Sequence, residues 1–310
     1  MTSHTPDAGL VALGTFEYGS TVPPGQARQL LDTFCALGGH VIDTAPTYGP
    51  TLGGYQAEAL IGRWLAASGA QAAVVSKAGL DPARPEHGIL DPAALIASAH
   101  RSAETLGRPL TGLLWHRDDP AVPVGEIADA AHRLVTDGTT RYVGAPNWTT
   151  SRLASWIRYA DRNQLTGPRI SQPLWSLAGR AQPPAEPWLV EADPDHLDLA
   201  ASTGLTLMPY RTLAAGYLAD AHSGRHAAHH RATYATTDNA VRRERLRAAA
   251  ARLGISVPGL ALACLRASTH ARVVPVIGPR TTGQLQEALN GAGTVISPGL
   301  LAHLTGREQP

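Results

Sequence analysis

The sequence nearly lacks lysine. Lysine and arginine together number 26 among 310 residues, and Lys77 is the only lysine. A lysine ammonium is compact, and burial or neighbouring charges can move its pKa, whereas a guanidinium is planar and stays charged. Because arginine serves at every other basic position, we interpret Lys77 as a site whose chemistry arginine cannot supply.

Other shortages exclude whole classes of protein. The chain has two cysteines, Cys35 and Cys264, no long apolar run and a formal net charge of only +1. Residues 1–8 are polar and lack the apolar segment of a signal peptide. No basic block offers a surface for nucleic acid. We therefore expect a cytoplasmic protein with reduced thiols and without a nucleic-acid or membrane partner.

What the chain does contain is a regular alternation of short apolar segments and amphipathic segments. The apolar, β-branched segments have the length of buried parallel strands. We predict strands at 9–13, 40–43, 72–76, 111–116, 140–144, 169–172, 205–208 and 272–277. We predict helices at 26–37, 57–67, 92–106, 126–135, 150–159, 195–202, 239–253 and 281–289. Asp91 followed by Pro92 is typical of a helix start.

Eight such units without a break in composition predict one α/β domain over 1–310, a (β/α)8 or TIM barrel. A doubly wound open sheet is the alternative, but the loop after Leu13 lacks the Gly-x-Gly-x-x-Gly pattern expected there. Two stretches interrupt the regularity, 176–194 with four prolines and 214–238. We interpret both as long loops at the functional end of the barrel.

The second of these stretches contains four histidines. They are His222, His226, His229 and His230, and a helix would place three of them on one face, as in a metal site. We find no carboxylate or cysteine in a position to complete a ligand set. We therefore predict a solvated mouth loop without a metal.

Four polar residues follow three neighbouring predicted strands. Asp43, Lys77 and His116 end strands two, three and four, and Tyr48 lies just beyond strand two. Each alone has an ordinary structural explanation, such as a helix cap or a turn residue. Their convergence at the carboxyl ends of the strands, where barrel enzymes keep their active sites, favours a catalytic group instead.

The four residues suit proton delivery. An ammonium at position 77 would draw the pKa of the Tyr48 phenol toward the working range, with Asp43 holding the ammonium in place. His116 would donate to a carbonyl oxygen that gains negative charge. No acyl-transfer motif or thiolate site is present. The sequence thus predicts acid catalysis in which electrons come from a cofactor.

These motifs resemble those of the aldo-keto reductase family. The similarity lies in residues 41–49 around Asp43 and Tyr48, in 75–77, and in 114–118, and it extends from Leu10 to Asn290. The resemblance implies a metal-independent (β/α)8 reductase that uses NADPH. It also implies that Tyr48 is the general acid, supported by Asp43, Lys77 and His116.

The same resemblance implies a set of cofactor-binding residues. They are Thr15, Asn147, Gln172, Trp175, Tyr210, Arg211, Thr212, Leu213, Gly216, Ile277, Gly278, Arg280 and Gln284. Asn147 and Gln172 match the nicotinamide carboxamide pair, Trp175 the stacking aromatic, and 210–213 with Gly216 the pyrophosphate loop. Arg280, ahead of a predicted helix, matches the arginine that meets the 2′-phosphate of NADPH. The chain departs from the family pattern at Pro146, Arg211, Thr212 and Ala288.

The aromatic residues near the same rim are candidates for the substrate pocket, namely Phe16, Tyr18, Trp115 and Trp148. We predict reduction of an aldehyde or ketone of a small or medium-sized organic substrate. Two alternatives stay open: reduction of an imine or enone in a biosynthetic pathway, and an NADPH-sensing subunit without turnover. The arginine- and alanine-rich composition suggests a bacterial source.

Overall fold

The eight strands form one parallel sheet. The computed structural model describes residues 9–49, 56–80, 88–219 and 232–306. The sheet runs in the order β7, β6, β5, β4, β3, β2, β1, β8, with every pairing parallel. The strands are β1 Ala12–Gly14, β2 Val41–Asp43, β3 Ala73–Ala78, β4 Leu110–Trp115, β5 Thr140–Pro146, β6 Ile170–Gln172, β7 Thr206–Leu207 and β8 Val276–Ile277.

Backbone hydrogen bonds between the two ends of this sheet close it into a cylinder. The amide of Leu207 donates to the carbonyl of Arg272, and the amide of Val274 donates to the carbonyl of Leu207, each at 2.8 Å. The segment before β8 thus pairs with β7, while β8 itself pairs with β1. The predicted (β/α)8 barrel is confirmed, and among the described residues the sheet has no open edge of the kind that a doubly wound fold would leave.

Helices cover the outside of the barrel. They are α1 Pro24–Ala36, α2 Gln56–Ser68, α3 Pro92–Leu106, α4 Val124–Thr136, α5 Thr150–Asn163, α6 Pro194–Thr203, α7 Thr237–Leu253, α8 Val257–Ala267, α9 Thr282–Leu289 and α10 Pro298–Thr305. The predicted start of α3 is confirmed, because the Asp91 side chain accepts from the amide of Ala94 at 2.8 Å. None of these described helices alone is long and apolar enough to cross a membrane; α7 and α8 meet that test only as a pair bent by 105°.

The interior of the barrel is one apolar layer whose residues lie in the strands or next to them. Its members are Ala12, Val41, Val75, Leu114, Tyr142, Ile170, Met208, Val274 and Val276. Side chains two positions apart on a strand point the same way. Asp43, Lys77, His116 and Gln172 each follow a layer residue by two positions. The strand pattern therefore places these four polar side chains directly above the apolar layer, at the carboxyl end of the barrel.

The irregular stretches differ from one another in the structure. Residues 176–193 carry no strand or helix, as predicted. The predicted loop 214–238 begins as a 3-10 turn, Ala214–Ala219, and α7 already begins at Thr237.

The four histidines of the second stretch lie outside the described residues. Within the described ranges, no group of three or more histidine, cysteine or acidic side chains is arranged to hold a metal ion. Cys35 and Cys264 are free thiols.

Candidate active site

Lys77 lies at the centre of the site and is almost completely buried. Its side chain is 1% exposed. The ammonium Nζ donates to Asp43 Oδ1 at 2.7 Å and to the Thr44 carbonyl at 2.9 Å. It also lies 4.8 Å from the centroid of the Tyr48 ring. Lys77 is the next-to-last residue of β3 rather than its end.

Asp43 joins two side chains above the apolar layer. Its Oδ1 accepts from Lys77 and also from the side-chain amide of Gln172, at 2.8 Å. Burial lowers the pKa of Lys77 from its ordinary value, while the charges of Asp43 and of Glu58 and the hydrogen bond to Asp43 oppose that shift. The carboxylate thus pays part of the cost of burying the ammonium.

Tyr48 is half-buried and stands between two rings. Its ring meets Phe16 edge-on, with centroids 5.2 Å apart, and His116 edge-on at 6.0 Å. Burial, and then the charge of Asp43, raise the pKa of Tyr48 well above 10. The sequence led us to expect Lys77 to lower this pKa. In this structure burial and Asp43 dominate, so the phenol holds its proton throughout the physiological range.

The surroundings of His116 favour its neutral form. Burial lowers its pKa well below 6.5, and the positive charges of Lys77 and Arg117 lower it further. Arg117 is itself buried, and its guanidinium stacks on Trp188 at 3.4 Å. Trp188 belongs to the proline-rich stretch 176–194. This stack therefore connects that long loop to the strand end that carries His116.

A second buried acid lies behind Lys77. Ser76 points away from the barrel interior, and its hydroxyl donates to Glu58 Oε1 at 2.5 Å; Ser102 donates to Glu58 Oε2 at 3.3 Å. Burial raises the pKa of Glu58 to about 7, although both serines and the charge of Lys77 act in the opposite direction. Sequence reasoning missed Glu58. The available signal was an acid at helical spacing from Ile61 and Leu65, on the apolar face of α2.

The predicted nicotinamide residues gather at the ends of β5, β6 and β7. Asn147 follows β5 with a left-handed backbone (φ 56°), and its side-chain oxygen accepts from the Tyr210 hydroxyl at 2.7 Å. Burial raises the pKa of Tyr210, and the charge of Tyr48 acts on it in the same direction. Tyr210 is thus an aromatic neighbour of both Asn147 and Tyr48.

Trp175, predicted to stack on the nicotinamide, is half-buried. Its ring packs against the apolar cluster that contains Leu205, Leu207 and Val273. The Trp175 amide donates to the Tyr210 carbonyl at 3.3 Å.

The predicted pyrophosphate loop has an unusual backbone. Arg211, Ala214, Ala215 and Gly216 all have positive φ angles, of 54°, 52°, 52° and 94°. Non-glycine residues adopt this conformation only where surrounding structure enforces it. Thr212 helps to hold this backbone in place, because its buried hydroxyl donates a hydrogen bond to the Val276 carbonyl at 3.0 Å. Leu213 is half-buried between two apolar clusters.

The predicted phosphate residues lie after β8. Ile277 is buried, and the space around Gly278 is open. Gln284 accepts from the amide of Arg280 at 2.8 Å and forms a capping box with Thr281, so its side chain starts α9. The guanidinium of Arg280 is paired with Glu17.

Thr15, another predicted cofactor residue, directly follows β1. It is fully buried, and its hydroxyl donates to the Asp43 carbonyl at 3.0 Å.

The predicted pocket aromatics separate into two groups. Phe16 is 60% exposed at the mouth, beside Tyr48. Tyr18, Trp115 and Trp148 are buried in the core, and both tryptophans pack on Trp156, with centroids 6.5 and 5.3 Å away. The structure thus places these three beneath the mouth, without a surface for a ligand to contact.

A closed (β/α)8 barrel with buried ionisable groups above its apolar layer has the architecture of a barrel enzyme. Residues 10–302 match the model of the aldo/keto reductase family. The chain belongs to the aldo/keto reductase family.

Three relatives illustrate the range of similarity. Norsolorinic acid reductase stcV of Emericella nidulans is 25% identical over 93% of this chain and 75% of its own length. The uncharacterized oxidoreductase YrpG of Bacillus subtilis is 25% identical over 95% of this chain and 90% of its own. Aldo-keto reductase NECHADRAFT_45914 of Fusarium vanettenii is 28% identical over 67% of this chain and 55% of its own. The chain spans about half the length of several of the curated relatives that it matches.

Proposed function

We propose that the protein is an NADPH-dependent oxidoreductase that reduces an aldehyde or ketone, with Tyr48 as the general acid. The observation that carries this proposal is the buried ammonium of Lys77, held by Asp43 at 2.7 Å and placed 4.8 Å from the Tyr48 ring. Membership of the aldo/keto reductase family and the names of the relatives support the reaction class.

The protein's own groups divide the work of proton delivery. With its pKa held high, Tyr48 keeps a proton available at the mouth. Transfer of that proton leaves a phenolate, which the nearby ammonium of Lys77 stabilises. Asp43 keeps Lys77 charged and oriented. Neutral His116 can donate a hydrogen bond to the substrate oxygen and adds no repulsion toward Lys77.

The residues at the rim fit a nicotinamide dinucleotide. The polar side chains of Asn147 and Gln172 lie next to the catalytic cluster, and the left-handed backbone of 214–216 provides a loop suited to phosphate groups. Arg280, at the amino end of α9, suits a further phosphate, which favours NADPH over NADH. Bound there, the dinucleotide would supply the hydride.

Turnover of NADPH with a panel of carbonyl compounds tests the proposal. We would follow NADPH absorbance with aldehydes, ketones and norsolorinic acid, the last because of the similarity to norsolorinic acid reductase. Replacing Tyr48 by Phe should lower kcat by at least about 100-fold, the scale of a lost general acid, while NADPH still binds. Binding without turnover of any carbonyl, imine or enone would contradict the proposal and favour a sensor.

A further inference from the structure

The loops after β1 and β8 are joined by a bidentate ion pair. Arg280 Nε donates to Glu17 Oε2 at 2.5 Å, and Arg280 Nη2 donates to Glu17 Oε1 at 2.6 Å. Both side chains retain solvent exposure, 40% for Arg280 and 28% for Glu17. Two parallel hydrogen bonds between a guanidinium and a carboxylate are among the stronger polar contacts in proteins. The pair thus occupies two donors of the arginine fork.

The backbone on each side of the pair is fixed. The Arg280 amide donates to the Gln284 side chain at 2.8 Å, and the Arg280 carbonyl accepts from the side chain of Gln26. The Glu17 carbonyl accepts from the amide of Val22 at 3.0 Å and from the hydroxyl of Ser20 at 2.8 Å. Because these anchors involve neither the guanidinium nor the carboxylate, the two charged groups can separate without unfolding either loop.

We propose that Glu17 is a specificity residue that competes with the cofactor's 2′-phosphate for Arg280. The inference rests on the proposed function and adds a determinant to it. A phosphate monoester engages a guanidinium through the same parallel donors that Glu17 now uses. A 2′-phosphate must therefore displace Glu17, and the released carboxylate then lies close to a second anion. NADH lacks that phosphate, so its binding neither displaces Glu17 nor brings two anions together. Arg280 favours NADPH over NADH, and Glu17 makes this difference in affinity smaller.

Cofactor binding tests this competition without any turnover. We would titrate the full-length chain with NADPH, NADH and adenosine 2′,5′-bisphosphate and follow tryptophan fluorescence or heat. Glu17→Gln keeps the size of the side chain and removes its charge. We expect this variant to bind NADPH and the bisphosphate about tenfold more tightly, the scale of one close charge pair, and NADH within about twofold of wild type.

Two further variants make the test specific. In the Arg280→Ala background, Glu17→Gln should improve NADPH binding by a clearly smaller factor, because the competition for Arg280 is gone and only repulsion between the carboxylate and the phosphate remains. Glu244→Gln removes one negative charge from an exposed pair with Arg247, 3.5 Å apart on α7, and should leave both dinucleotides unaffected. Thermal unfolding of each variant shows whether the fold is retained.

The possible results distinguish a failure of this inference from a failure of the proposed reductase function. Weaker NADPH binding in Glu17→Gln, equal tightening of NADPH and NADH, or an effect that is undiminished without Arg280 would each overturn the competition. If the wild-type chain binds NADPH and Glu17→Gln leaves its affinity unchanged, this inference is wrong and the reductase proposal stands. If the wild-type chain binds neither dinucleotide, both are wrong.

Discussion

At the scale of single residues, Lys77 shows why one ammonium is retained in a chain that otherwise uses arginine. Nζ reaches both Asp43 Oδ1 and the Thr44 carbonyl from inside the barrel, where the side chain is 1% exposed. A guanidinium is larger and flat, so its charge cannot occupy the same point beneath Tyr48.

Replacing Lys77 by Arg should therefore keep the positive charge but move it away from the point that Nζ occupies. We expect kcat to fall by about 100-fold or more, because the guanidinium charge cannot take the position from which, in the proposed mechanism, the ammonium stabilises the Tyr48 phenolate. Single-turnover kinetics with bound NADPH measure this directly. Arg63→Lys on the exposed side of α2 is the matched control and should leave kcat unchanged. Normal turnover in Lys77→Arg would remove the ammonium from the mechanism.

Glu58 leads to a prediction about stability and pH. Its pKa is about 7 in the fold, against an ordinary value of 4.5. A raised pKa means that the folded protein binds a proton more tightly than the unfolded chain does. The stabilisation from the protonated carboxyl is therefore complete below pH 4.5 and is lost as the pH rises through about 7.

The Glu58→Gln variant should isolate this contribution. Its free energy of unfolding relative to wild type should rise by up to about 3 kcal/mol between pH 4.5 and 8, at about 1.4 kcal/mol per pKa unit. Urea unfolding of both proteins across that range measures the difference. A difference that does not vary with pH would show that the Glu58 carboxyl titrates normally.

The sequence sufficed to predict that Asp43, Tyr48, Lys77 and His116 lie close together, because each lies at or just beyond the end of one of three neighbouring strands. Trp115 shows what was overlooked. It is the last residue of β4 and directly precedes His116. Adjacent residues along a strand direction face opposite sides, so Trp115 points to the helices when His116 points inward. The Glu17 and Arg280 pair could not be predicted, because 263 residues separate its members and no local pattern relates them.

At the scale of elements, Gly144 allows β5 to lie against β6. A Cβ atom at this position would lie 2.1 Å from the Ile170 carbonyl oxygen, and that oxygen belongs to the rigid neighbouring strand. Gly144→Ala should therefore destabilise the protein by about 3 kcal/mol. Gly25→Ala in α1, where a Cβ meets nothing within 4 Å, is the control and should not reduce the melting temperature. Equal stability of the two variants would contradict the packing argument.

The boundaries of most elements followed from periodicity, whereas α8, where an amphipathic helix was expected around Cys264, received no boundaries and α10 was not predicted. Residues Pro258 to Leu265 of α8 are all buried, so the helix has no polar face and shows no 3.6-residue pattern. The short helix α10 has one fully buried residue, Leu304, and gives an equally weak signal. The strands β7 and β8 are two residues long, shorter than predicted, because the chain there pairs irregularly at the closure of the cylinder.

At the scale of the whole molecule, the strands on one side of the barrel are longer than those on the other, so more backbone hydrogen bonds hold the first side together. The strands β3, β4 and β5 contain 6, 6 and 7 residues, while β7 and β8 contain 2 each. Hydrogen exchange should therefore be slowest at amides of β3 to β5 and faster at 206–207 and 273–277, which open first. Mass spectrometry of exchanging peptides measures this order. Uniform protection around the cylinder would show that it opens only as a unit.

Because the only lysine is buried, its chemical modification can report how often the folded protein opens. Apart from the chain terminus, an amine-specific reagent finds its single target enclosed by the barrel. Labelling at position 77 can proceed only as fast as the mouth or the whole cylinder admits the reagent. The rate of that modification, with and without dinucleotide, would therefore measure how often the molecule exposes its own centre.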